Sequence, residues 1–232
     1  MTAHVLTELL AVLAPPSCLA CRDPLPDAGA RLCPACVRAL PWLGRGGCLS
    51  CGLPGHRATA CPAAGAAFAR AWAPLAYEGV ARQVVAALKF RGALPVAELM
   101  AAQMAANLPP DLRAASGPPA WAAVAVPPQS GRRRRRGFDP AGALAERFAA
   151  RAGVPLVGGL RRRDRSGGQL RAGRAERRRA GRLVIEPAGP APPAVLLVDD
   201  VHTTGATLDA CARALRDAGC RRVAAVTYAR TL

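Results

Sequence analysis

The stretch Val195-Leu196-Leu197-Val198-Asp199-Asp200-Val201-His202-Thr203-Thr204-Gly205-Ala206-Thr207 constrains this chain more than any other. Its leading apolar run is too short for a helix and suits a buried strand of a parallel sheet, with the acidic pair expected to end the strand. A small polar loop follows. Beyond it Leu208, Cys211, Ala212 and Leu215 recur at helical spacing and would share one face, with Gly219 placed to end the helix. The predicted order is strand, carboxylate pair, loop, helix.

That order has a chemical meaning. Ligands of open α/β sheets collect at the carboxyl ends of the strands. A loop that opens a helix turns free backbone N–H groups and the positive end of the dipole toward its ligand. Three threonine hydroxyls add donors, and Gly205 lets the backbone approach closely. The loop lacks the Gly-Lys-Thr ending of a Walker-type P-loop. Two carboxylates beside such a cradle can accept hydrogen bonds from vicinal hydroxyls, which describes a ribose 5-phosphate site. The stretch resembles the phosphoribosyl pyrophosphate (PRPP) motif of type I phosphoribosyltransferases. The resemblance implies that Asp199 and Asp200 hold the ribose 2- and 3-hydroxyls. It implies that Thr203, Thr204, Gly205, Ala206 and Thr207 hold the 5-phosphate. Mg²⁺ would accompany the pyrophosphate, whose hard oxygens suit that ion. His202 reads as a spacer within the motif rather than a catalytic group.

The other concentrated signal is cysteine. Seven of the chain's nine cysteines fall between residues 18 and 61. Cys18-x-x-Cys21 and Cys33-x-x-Cys36 form a pair of knuckles with the spacing of a structural zinc site. Cys48-x-x-Cys51 opens a second set with Cys61, for which His56 is either the fourth ligand or a surface histidine after Pro54-Gly55. Closed four-ligand sites are structural rather than catalytic, and zinc would fold a segment too rich in Gly and Pro to carry much core.

Between these signals, Ala64 to Ala71 reads as a linker, Trp72 to Tyr77 as a strand, and Val80–Phe90 and Leu94–Asn107 as helices. Pro109 to Pro119 reads as a surface connection. Trp121 to Val126 is a further strand, Ala141 to Arg151 a helix, and Val223 to Thr227 the last buried strand. Arg132 to Arg136 follow the 121–126 strand directly; they suit a polyphosphate site, a nucleic-acid patch or a solvated surface. Leu160 to Arg182, rich in Gly and Arg, reads as a cationic lid or a basic loop without catalytic part. The formal net charge of +17 favours anionic partners, although aromatic residues, at 4%, are scarce for stacking on single-stranded nucleic acid. No segment is long enough to span a membrane. The apolar run Val5 to Leu13 is interrupted by Glu8 and reads as an amphipathic helix, not a signal peptide. A cytoplasmic setting is expected.

The order of features is similar to that of the ComF family, the competence-associated phosphoribosyltransferase-like proteins of bacteria. The shared landmarks are the double Cys-x-x-Cys, Leu88-Lys89-Phe90-Arg91-Gly92, Val126-Pro127, Arg136-Gly137-Phe138, Gln169 and Arg177. The chain departs from the family's pattern at Asp139-Pro140, at Ala180 and in lacking a fourth cysteine in the second cluster. The resemblance implies an α/β chain with a type I phosphoribosyltransferase fold, a mostly parallel sheet flanked by helices, over residues 71–232. A small zinc-binding domain, with ligands Cys18, Cys21, Cys33, Cys36, Cys48, Cys51, His56 and Cys61, would occupy residues 1–70. It makes Lys89, Arg136 and Arg177 candidate catalytic cations that neutralise departing pyrophosphate. It also implies a part in DNA uptake, with single-stranded DNA and uptake proteins as partners. The competing expectation is a non-catalytic module that senses PRPP or a nucleotide, or binds single-stranded DNA.

Overall fold

The structure is a computed structural model and describes residues 16–27, 29–44, 46–56, 60–90, 93–113, 120–128, 138–163 and 184–232. The run Val5 to Leu13, the Arg132 to Arg136 run, and most of the segment read as a lid lie outside the described residues.

The chain order is α1 (Pro34–Arg38), β1 (Arg70–Trp72), β2 (Leu75–Ala76), α2 (Gly79–Phe90), α3 (Ala93–Asn107), β3 (Ala122–Ala125), α4 (Pro140–Ala152), β4 (Leu160–Arg163), β5 (Val184–Pro187), β6 (Ala194–His202), α5 (Ala206–Asp217) and β7 (Arg222–Arg230). The main sheet runs β1–β7–β6–β3, with β2 also on β7, and every pairing in it is parallel. A parallel sheet must be covered on both faces, and the strand sequences supply two apolar rows. Leu196, Val198, Ala224, Val226 and Tyr228 pack with the cluster that includes α2, α3 and α4. Val195, Leu197, Val223 and Ala225 face the opposite way, against Leu208, Cys211, Ala212 and Leu215 of α5. The helical spacing read in α5 therefore marks its sheet-facing side. Tyr228 is fully buried and donates its hydroxyl proton to Gln103 Oε1 at 2.8 Å, so its polar end is satisfied inside the core.

Three sequence expectations change. β6 does not stop at the acidic pair; it continues through Val201 and His202, because β7 offers Ala229 and Arg230 as register partners. The strand expected over Trp72 to Tyr77 is two short strands. Pro74 sits in the break, where the carbonyls of Pro74 and Pro41 accept from Leu43 and Ala76. Ala64 to Ala71 is not a loose linker: Phe68 and Ala71 are buried, and Ala67 N–H donates to Asp209 Oδ1 at 2.7 Å.

The cysteine-rich segment is fastened to the sheet. Leu25, Leu32, Cys36 and Leu40 belong to the same buried cluster as the helices of the parallel sheet. Ala71 N–H donates to the Leu49 carbonyl at 3.2 Å, and Trp42 bridges Leu75. β4 and β5 form a separate antiparallel ribbon. Gly159, just before β4, lies so close to the core that a Cβ there would sit 3.3 Å from Val124 Cγ1.

Candidate functional site

Asp199 and Asp200 lie in the second half of β6, toward the end of the sheet where α5 begins. Alternation points them to opposite sides of the strand. Asp200 is buried and its carboxylate meets Lys89 Nζ at 2.7 Å, so the end of α2 supplies its counter-charge. Asp199 Oδ1 accepts the Asp200 N–H at 2.8 Å. Burial, then the charge of Asp200, push the Asp199 carboxyl well above the ordinary carboxylate range, while the Asp200 N–H and Lys89 pull it back. A cavity of about 170 Å³ opens here. Asp199, Asp200, Lys89 and Thr207 line it, together with Asp139 and Arg162.

The last two were not read as site residues. Asp139 caps α4, its Oδ1 accepting the Gly142 N–H at 3.0 Å. A Cβ on Gly142 would lie 2.8 Å from Asp139 Oδ2, so a larger residue there would push the capping carboxylate aside. In Leu160-Arg161-Arg162-Arg163 the exposure alternates, so Leu160 and Arg162 share the inward side of β4, which three consecutive arginines do not disclose in sequence. Arg161 and Arg163 face out and pair with Glu186 across the ribbon.

The loop from Thr203 to Gly205 turns the chain from β6 into α5. Gly205 is the N-cap in the left-handed region, φ 81°, and offers no side chain to the helix. A Cβ on it would sit 2.8 Å from His202 Nε2, so glycine answers to two constraints at once. Thr204 Oγ1 accepts the Ala206 N–H at 3.4 Å, and Gly205 itself offers no capping side chain to the N–H groups that follow. His202 is buried at the end of β6, edge-on to Phe68, and burial followed by the nearby Arg230 charge lower its pKa to about 4. It lines a second cavity, of about 250 Å³, on the far side of the loop from Asp199.

The eight candidate metal ligands gather into two groups. The ligand atoms of Cys18, Cys21, Cys33 and Cys36 lie within 4.8 Å of one another, and so do those of Cys48, Cys51, His56 and Cys61. Cys21 and Cys33 sulfurs are 3.7 Å apart and those of Cys48 and Cys61 3.8 Å apart. A disulfide would need about 2.05 Å, whereas sulfurs about 2.3 Å from a tetrahedral zinc stand about 3.8 Å from each other. His56 turns Nε2 to the second group, 2.9 Å from Cys51 Sγ. The donor sets, four thiolates in one and three with an imidazole in the other, fit structural zinc. Arg136 and Arg177 lie outside the described residues, as do Gln169 and Ala180.

Comparison with known proteins agrees with this division. The double zinc ribbon domain matches residues 9–65, and the phosphoribosyl transferase domain matches residues 134–231. The chain therefore carries a type I phosphoribosyltransferase domain, a mostly parallel sheet flanked by helices, with an N-terminal zinc-binding cysteine cluster. No curated protein matches it. Among solved structures, the allosteric regulatory enzyme of purine biosynthesis aligns at 18% identity and a TM-score of 0.34, over 58% of this chain and 26% of that one. The chain thus spans about a quarter of that protein's length. No helix among the described residues is long and apolar enough to cross a membrane.

Proposed function

We propose that this chain binds PRPP, with Mg²⁺, at the carboxyl end of β6. The observation that supports the reading is one cavity in which the acidic pair meets Lys89, Arg162 and Thr207, while Thr204, Gly205 and Ala206 line the second cavity across the loop. Asp199 and Asp200 accept from the ribose hydroxyls. Thr203, Thr204, Gly205, Ala206 and Thr207 take the 5-phosphate on backbone N–H groups and hydroxyls, the phosphate replacing the 3.4 Å contact between Ala206 N–H and Thr204 Oγ1. Lys89 and Arg162 are the described cations nearest the acids, and Arg136 and Arg177 are proposed to join them on the pyrophosphate. Mg²⁺ would supply charge neutralisation between pyrophosphate and hydroxyl oxygens.

If the chain is a transferase, its residues act by charge and position. Cleavage at C1 of the ribose leaves an oxocarbenium-like centre and a departing pyrophosphate, and the cations stabilise the latter. The strand end and helix start hold the sugar in line for an incoming nitrogen.

The order of a double zinc ribbon followed by a phosphoribosyltransferase domain supports placing the chain with the ComF-like proteins, and so in cytoplasmic DNA uptake. The +17 net charge favours a single-stranded DNA partner. DNA binding through phosphates must fall steeply with salt, so no affinity at about 50 mM salt removes that partner. Calorimetric titration of PRPP into the zinc-loaded protein, with and without Mg²⁺, tests the main reading. Mg²⁺-dependent binding is expected; no heat under either condition overturns it.

A further inference from the structure

Arg230 is the last residue of β7 and is 4% exposed. Its Nε and Nη1 are buried and have no hydrogen-bond partner among the described residues. Burying a lone guanidinium costs several kcal/mol unless a counter-charge lies close, and Arg cannot escape by losing its proton. The thiols of Cys51, Cys61 and Cys48 favour its charge, and the one carboxylate on the cavity it shares with Cys51, Asp209, is already engaged by Ala67 N–H and Arg213. The geometry agrees. Cys51 and Arg230 line the same cavity. Gly52, with φ 77°, packs so closely that a Cβ on it would lie 3.5 Å from Arg230 Cδ. Both orphaned nitrogens are closed to solvent.

The charges match as well. Three thiolates and a neutral imidazole on Zn²⁺ leave one net negative charge, which one guanidinium cancels. The first cluster, with four thiolates, would carry two, and one of its thiols, Cys21, is exposed to water. We propose that Arg230 is the counter-charge of the second zinc centre and fastens that centre to the strand end behind the Thr203–Gly205 loop. His202, opposite Arg230 in the β6–β7 register, and Thr204 line the cavity between them. The inference rests on the zinc ligands and not on PRPP, so it stands or falls separately from the proposed function.

Competition between the full zinc-loaded chain and a chromophoric chelator tests it. Two zinc equivalents should leave in separable steps, and a Cys48→Ser variant identifies the step that belongs to the second centre. Arg230→Met is expected to weaken that step 10–100-fold, the usual size for partners of metal ligands, and to leave the other unchanged. Arg230→Lys keeps the charge and is expected to hold the second zinc within about fivefold of the parent. Unchanged affinity in Arg230→Met overturns the proposal. So does an Arg230→Lys chain that loses the second zinc, and this arm decides the matter even where Arg230→Met fails to fold.

Discussion

At the scale of single residues, the two adjacent carboxylates have different duties. Asp200 is paired with Lys89, whereas Asp199 carries the strain of burial and of its neighbour's charge. Asp199→Asn removes a carboxylate whose charged form the site disfavours. We expect it to leave the melting temperature unchanged or slightly raised, while PRPP affinity falls about 10–100-fold, the worth of a hydrogen bond to a charged group. Asp200→Asn should also weaken PRPP binding, but it strips Lys89 of its partner and should lower the melting temperature too. Calorimetry and thermal melts on both variants separate these effects. Gly205→Ala should cost about 1–2 kcal/mol for the left-handed backbone alone, before the contact with His202, and denaturant titration reads it.

His202 gives a pH prediction. Its folded pKa is about 4, below the ordinary 6.5, so the unfolded chain takes up the proton first as pH falls. Stability from this group is complete above pH 6.5 and is lost between about 6.5 and 4. Compared with His202→Gln, the parent chain should lose up to about 3 kcal/mol across that window. Parallel stability curves for the two proteins would contradict the burial of a neutral imidazole.

At the scale of elements, the β4–β5 ribbon matters because it aims one arginine of three inward. Arg162→Ala should weaken PRPP binding by about tenfold or more. Arg161→Ala and Arg163→Ala, whose side chains are 70% and 74% exposed, should change it little. Equal effects from all three would mean that bulk charge, not placement, draws the ligand. The acidic pair and loop could be read from the sequence because every contact that defines them is local: strand, turn and helix are consecutive. Asp139 and Arg162 were missed because they reach the same cavity from α4 and β4, and no local pattern records which remote strand end a side chain meets.

For the whole molecule, zinc is expected to act on more than its own segment. Leu25, Leu32, Cys36 and Leu40 are part of the core shared with the sheet's helices. Chelation should therefore lower the melting temperature of the entire chain, by about 10 °C or more if a structural zinc contributes even half of its usual binding free energy. Elemental analysis should find two zincs per chain, one per ligand group. A metal-free chain with an unchanged melt would show that the thiols are merely packed.

The sequence by itself determined the consecutive features: the knuckles, the buried strand with its acids, the glycine at the turn and the helix behind it. Each follows from spacing along the chain, where period and turn chemistry leave one choice. Tertiary structure alone decided how far β6 runs, since that depends on β7 as a partner. It also decided that Ala64 to Ala71 is packed rather than loose, and that His56 turns into the second cluster. The placement of Arg230 on one cavity with Cys51 is of the same kind. Cys51 lies far from it in sequence, and only the folded sheet, which ends β7 behind the cysteine-rich segment, brings the two together.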